Sequence, residues 1–152
     1  MHERRFDPSR AHLLDDPERK KWLPPGEIIA ALHLRQEESV VDIGAGTGYF
    51  AIPMAAAVGS AGHVFAVDVS AKMLERFRSR LTEAGVENVE CVEGEASSTG
   101  LASGSADVVF MANVWHEFDD HAAVIGEARR LLRRGGRIAV LDWRPDAEPD
   151  RR

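Results

Sequence analysis

Asp42 is followed by Gly44, Gly46 and Gly48, so the short apolar run Val40-Val41 ends in a carboxylate and three alternating glycines come close behind it. Glycines at that spacing let a ligand lie against bare backbone, and they accept the positive φ angles that a tight turn demands. Three further polar groups stand where later apolar runs stop: Asp68, Glu95, and Asn113 with the Trp115-His116-Glu117-Phe118 segment behind it. A carboxylate such as Asp68 can accept hydrogen bonds from both hydroxyls of a ribose, although a loop or helix-capping aspartate is the plainer use. His116 can take up a proton near neutral pH, or it can simply cap or pack. Together these residue types suit a nucleotide cradle with a candidate proton acceptor nearby.

The glycine spacing narrows the ligand. A dinucleotide turn has G-x-G-x-x-G, its middle glycine making room for a pyrophosphate, whereas this chain has G-x-G-x-G after an acid. The Gly-Lys-Ser/Thr ending of a phosphate-gripping loop is missing as well. A nicotinamide-dependent oxidoreductase is therefore a poor reading.

Alternation of apolar runs and helical stripes supplies the elements that must carry these groups. Strands are expected at 39–43, 63–69, 88–93, 107–112 and 137–143. Helices are expected at 25–32, with Ile28, Ile29 and Leu32 on one side, and from about 48 to 58, with Phe50, Met54 and Val58 together. Pro53 is tolerable only near a helix start, which places that start close to the glycines. Ser70 caps a third helix that Gly85 ends, with Met73, Leu74, Phe77 and Leu81 inward. Asp119 or Asp120 caps a last helix with Val124, Ala128, Leu131 and Leu132 inward, and Gly135-Gly136 is its expected stop. Strands separated by crossovers form a parallel sheet in an α/β fold, and ligands bind at the carboxyl ends of such strands.

The run Val-Val-Asp-Ile-Gly-Ala-Gly-Thr-Gly at 40–48 resembles the first motif of the class I S-adenosylmethionine-dependent methyltransferases. The likeness extends from Val40 to Trp143 and resembles most the small methyltransferases related to quinone-biosynthesis enzymes. It implies a Rossmann-like three-layer sandwich with a mainly parallel five-stranded sheet of order 3-2-1-4-5. It implies S-adenosylmethionine as cofactor, held by Asp42, Gly44, Ala45, Gly46, Gly48, Asp68, Val69, Met73, Glu95, Ala96 and Asn113. In that assignment Asp42 orients the glycine loop or takes the cofactor's ammonium, and Asp68 takes the ribose. Val69 and Met73 flank the adenine, Met73 being equally suited to the core, while Glu95 stands where the family often has an aspartate for the adenine amino group. Trp115, His116 and Phe118 become substrate contacts, and His116 becomes the candidate base for an unidentified small-molecule acceptor. Relatives continue past strand five into a helix and an antiparallel hairpin. Only 144–152, charged and proline-broken, remain here, so that hairpin is expected to be missing and strand five to be a bare edge open to a second copy. A shortened module that binds cofactor or a partner without turnover is the alternative reading. Arsenite methylation, known among similar proteins, uses several cysteines and is disfavoured.

Composition bounds the rest. A chain of 152 residues makes one domain, read as an arm at 1–24, a core at 25–143 and a tail at 144–152. Within the arm, Asp16 and Pro17 signal a short helix carrying Trp22. A net charge of −6 argues against a nucleic-acid partner, and the basic cluster Arg129-Arg130 with Arg133-Arg134 falls at an expected helix end. The single cysteine, Cys91, excludes an internal disulfide and reads as a buried, inert thiol; no metal site is expected. No stretch is long and apolar enough to span a bilayer, and no signal peptide is visible, so a cytoplasmic protein is expected.

Overall fold

A computed structural model describes residues 24–142. The expected arm, its short helix, Trp143 and the charged tail lie outside the described residues. The elements run α1 (Pro25–Ala31), β1 (Ser39–Ile43), α2 (Ala51–Val58), β2 (His63–Asp68), α3 (Ala71–Ala84), β3 (Val89–Glu93), β4 (Ala106–Ala112), a 3-10 turn (Trp115–Glu117), α4 (His121–Leu131) and β5 (Leu132–Leu141).

The five strands form one sheet of order β3-β2-β1-β4-β5, and every pairing is parallel. Parallel strands need crossovers, and the helices of these crossovers cover both faces. Val40, Val64, Val108 and Phe110 pack with Phe50, Met54, Val58, Phe77 and Leu81 on the face under α2 and α3, where α1 adds Ile28, Ile29 and Leu32. Val41, Ile43, Val67, Val109 and Met111 pack with Val124, Ala128 and Leu131 of α4 on the other. All five positions of β1 are buried, as befits a central strand covered on both sides.

The capping expectations hold. Ser70 Oγ accepts the amide of Met73 at 3.2 Å, Gly85 closes α3 at φ 67°, and Asp120 Oδ1 accepts the amide of Ala123 at 2.9 Å. Pro53 is the third residue of α2, a first-turn position where its missing N–H costs little.

Several boundaries need correction: the fifth strand, expected at 137–143, runs Leu132–Leu141, and the second stops at Asp68, before Val69. Helix α2 begins at Ala51 rather than about 48, because residues 46–50 are spent on successive turns in which Gly46 and Gly48 both take positive φ. Helix α4 ends at Leu131, and β5 starts at once with Leu132 paired to Ala106; the ladder shifts register before resuming at Arg137 opposite Val108. Gly135 and Gly136 therefore lie within a strand that bulges and do not stop a helix. Arg129 and Arg130 do sit in the last turn of α4, but Arg133 is on β5 and pairs with Asp107 at 2.8 Å. Cys91 is only half-buried on edge strand β3, where burial pushes its thiol pKa up.

The amino end of the sheet is tied by charges. Arg137 donates to the Leu32 and His33 carbonyls at 2.9 and 3.1 Å and to Glu38 at 3.2 Å, fixing the end of α1 to β5. Burial pushes the Glu38 carboxyl up, but Arg137 and the Arg35 amide outweigh it and hold the group below its ordinary range. No described helix is long and apolar enough to cross a membrane.

Candidate functional site

Strand order reverses between β1 and β4, which both leave the sheet at the same end, and this is the switch point where α/β sheets bind ligands. Gly44 follows β1 there with φ 74°, and a Cβ on it would lie 2.6 Å from Val114 Cγ1, so the loop after β1 abuts the loop after β4. Gly48, at φ 89°, sits on the ring of Phe77, and a Cβ would come within 2.0 Å of Cε2. The glycines are required by close approach on two sides as much as by turn geometry.

The loop's amides have partners within the protein. Gly44 and Ala45 both donate to the Val67 carbonyl, at 2.8 and 3.0 Å, and Gly48 donates to Ala45 at 3.1 Å. Gly46 donates to Asp68 Oδ2 at 2.9 Å, while Asp68 Oδ1 takes the Ser70 amide at 2.9 Å. Arg80 of α3 braces the outside by donating to the Thr47 carbonyl at 3.3 Å. With the amides of Gly44, Ala45, Gly46 and Gly48 spent inside the protein, the loop offers little of an anion nest, which suits an adenosyl ligand without phosphates better than a pyrophosphate. What the site offers a ligand is carboxylate acceptors. Asp68 spends two acceptor positions on backbone amides, and a carboxylate has about four, so about two remain for hydroxyl donors.

Asp42 is 2% exposed and lies on β1 between Ala66 and Phe110 of the flanking strands. Val69 is half-buried at the tip of β2, and Met73 is 3% exposed inside the first turn of α3. Glu95 and Ala96 leave β3 in a tight loop where Glu95 bridges to Ser98. A bond from the Thr99 amide to Glu127 Oε2 at 2.8 Å, and a second from its hydroxyl at 2.8 Å, anchor this loop to α4. Arg130 grips the same carboxylate at 2.6 and 2.9 Å and donates to the Leu101 carbonyl at 2.7 Å. The Arg130 guanidinium holds the Glu127 pKa down at about 2, against an opposing push from burial and with help from Thr99. The sequence pattern does not single out Glu127 or Thr99; an acid among apolar positions on the inner side of α4 is the available signal.

Asn113 takes φ 58° directly after β4, and its amide donates to the Leu141 carbonyl at 2.7 Å. Asparagine tolerates this left-handed conformation better than most residues, and the turn swings the following segment over the strand ends. There Trp115 and Phe118 meet edge to face at 6.2 Å, and His121 stacks on Trp115 at 4.3 Å while its Nε2 donates to the Trp115 carbonyl at 2.7 Å. His116 points elsewhere. Its Nδ1 lies 2.9 and 3.0 Å from the two carboxylate oxygens of Asp142 at the end of β5.

The structure thus brings Asp42, the glycine loop, Asp68, Val69, Met73, the Glu95-Ala96 loop, Asn113 and the Trp115–Glu117 turn to the carboxyl ends of their strands. The opposite end has a cleft of about 590 Å³ next to Leu32, Arg35, Glu38, Asp107 and Arg134, shaped by the Arg137 tie and remote from these groups.

Residues 41–140 match a family model described as a methyltransferase domain. The chain is similar to a demethylmenaquinone methyltransferase of Listeria monocytogenes, 32% identical over 122 residues, 80% of this chain and 51% of that protein. It therefore spans about half the length of the curated relatives it matches. Among solved structures it resembles a SAM-dependent methyltransferase from Aquifex aeolicus, with a TM-score of 0.87 at 29% identity, covering 95% of this chain and 79% of that one. It also resembles phosphoethanolamine N-methyltransferase 1 of Haemonchus contortus, solved with phosphoethanolamine and S-adenosylhomocysteine. That likeness has a TM-score of 0.68 and 27% identity and covers 76% of this chain and 24% of that one.

Proposed function

The chain belongs to the methyltransferase-domain family, and from that premise we propose that it transfers a methyl group from S-adenosylmethionine to a small-molecule acceptor. The observation that carries the reading is the double tie of Asp68, which holds the glycine loop by the Gly46 amide and keeps acceptor positions for a ribose. In this reading Gly44, Ala45, Gly46 and Gly48 give the cofactor a bare backbone floor, and Val69 and Met73 flank the adenine. Glu95, with Ala96 beside it, takes the adenine amino group from a loop that the Thr99 and Glu127 bonds keep in place. Asp42 and Asn113 serve the amino-acid end of the cofactor.

When bound, the cofactor supplies a methyl group already activated on a sulfonium, so the protein's task is proximity, orientation and exclusion of water. Trp115 and Phe118 offer aromatic faces to an acceptor over the end of β4, and His116, next in sequence to Trp115 and turned to Asp142 at the end of β5, serves as a base. The test is methyl-labelled cofactor incubated with the chain and a panel of small phenols, enolisable ketones, amines and thiols. Label in an organic product, lost on Asp68→Ala, supports the proposal; a chain that binds no cofactor refutes it.

A further inference from the structure

His116 and Asp142 lie 26 residues apart in sequence and on different strand ends, and the structure joins them by more than one bond. Asp142 Oδ2 accepts the His116 backbone amide at 3.0 Å, and its two oxygens lie 2.9 and 3.0 Å from Nδ1. An ionised carboxylate only accepts, so Nδ1 carries the proton and Nε2 keeps its lone pair. Burial is divided in the same sense: the Asp142 side chain is 14% exposed and that of His116 is 53% exposed. Glu117 Oε1, at 3.9 Å from Nε2, is too far to be its hydrogen-bond partner. His121 shows the contrast, with its Nε2 spent on a backbone carbonyl and its ring on Trp115.

We propose that Asp142 is a positioning residue that fixes His116 in the Nδ1–H tautomer, making Nε2 a base for an acceptor that reacts through an acidic hydroxyl or enol. The inference rests on the methyl transfer proposed above. The acceptor's O–H proton passes to Nε2 as an oxygen–methyl bond forms. The methyl–sulfur bond breaks with its electron pair left on sulfur, and the positive charge passes to an imidazolium that Asp142 faces. A basic amine or a thiolate would need no such pair.

Long-range 1H–15N spectra of the neutral imidazoles test the pair in the ligand-free protein, with or without a known acceptor. His116 is expected as the Nδ1–H tautomer in the wild type and as the Nε2–H tautomer, which a free histidine side chain prefers, in Asp142→Ala. Calorimetric titration with S-adenosylmethionine runs alongside on the wild type and on Asp142→Asn, which keeps the side chain's shape. Affinities equal within about threefold are expected, because the pair acts on the acceptor. An Nε2–H tautomer in wild-type protein that binds cofactor overturns the inference while leaving the methyl-transfer reading standing. Absence of cofactor binding by the folded wild type removes the methyl-transfer reading itself. Label from methyl-labelled cofactor on phenol or 2,4-pentanedione, reduced about a hundredfold in His116→Ala, supports the acceptor class. Label only on an amine or thiol probe overturns it.

Discussion

The amide of Gly46 and the carboxylate of Asp68 are joined at 2.9 Å across 22 residues of chain, so one side chain at the tip of β2 shapes the loop that follows β1. The residue best placed to read a ribose also holds the glycine turn against which the cofactor would lie. If the proposed cofactor site holds, cofactor affinity and loop stability are coupled through this carboxylate.

Asp68→Asn should separate the two roles. An amide group keeps one acceptor for a backbone N–H but loses the charge and half the acceptor capacity, each charged hydrogen bond being worth about 1.5–3 kcal/mol. The expected result is a cofactor Kd raised about tenfold or more with a fall of only a few degrees in Tm, read by titration and thermal melting.

Gly48→Ala should destabilise the fold. A Cβ would enter the Phe77 ring at 2.0 Å, and φ 89° is strained for any L side chain. Overpacking and backbone strain together should cost about 3 kcal/mol or more in a denaturant titration. Phe77→Leu added to Gly48→Ala should recover only part of this, since it relieves the collision and not the dihedral.

Asn113 gives the complementary case, a left-handed residue with a side chain. Asn113→Gly should leave stability within about 1 kcal/mol, whereas Asn113→Val, β-branched at φ 58°, should cost about 1–2 kcal/mol. Equal melting temperatures for the two variants would contradict the backbone argument.

Glu127 makes stability depend on acid pH. Its pKa falls from an ordinary 4.5 to about 2 on folding, chiefly through Arg130. The unfolded chain therefore takes up its proton first, and the stabilisation is complete above 4.5 and lost as pH falls towards 2. Glu127→Gln should flatten that part of the stability profile. Arg130 is exposed, so the loss near neutral pH should be smaller than for a fully buried pair.

Local chemistry made much of this fold legible in the sequence. The alternate glycines, the Ser70 and Asp120 caps, Gly85 and the inward stripes of α2 and α3 all rest on rules that span a few residues. Non-local pairing was not legible. Gly135-Gly136 satisfies a helix stop as well as a bulge, and only the pairing of Leu132 with Ala106 decides between them. His116 could be chosen as a candidate from its place after β4, but its partner Asp142 emerges only once β4 and β5 lie side by side. The Thr99 bonds to Glu127 were hidden for the same reason, since they join groups 28 residues apart.

Isothermal titration of the purified chain with S-adenosylmethionine and S-adenosylhomocysteine, with Asp68→Ala and NAD as controls, tests the central claim most directly. The account predicts saturable one-site binding of both adenosyl ligands, none of NAD, and loss of binding in the variant. A folded wild-type chain that binds neither adenosyl ligand, or that binds them equally well without the Asp68 carboxylate, would contradict it.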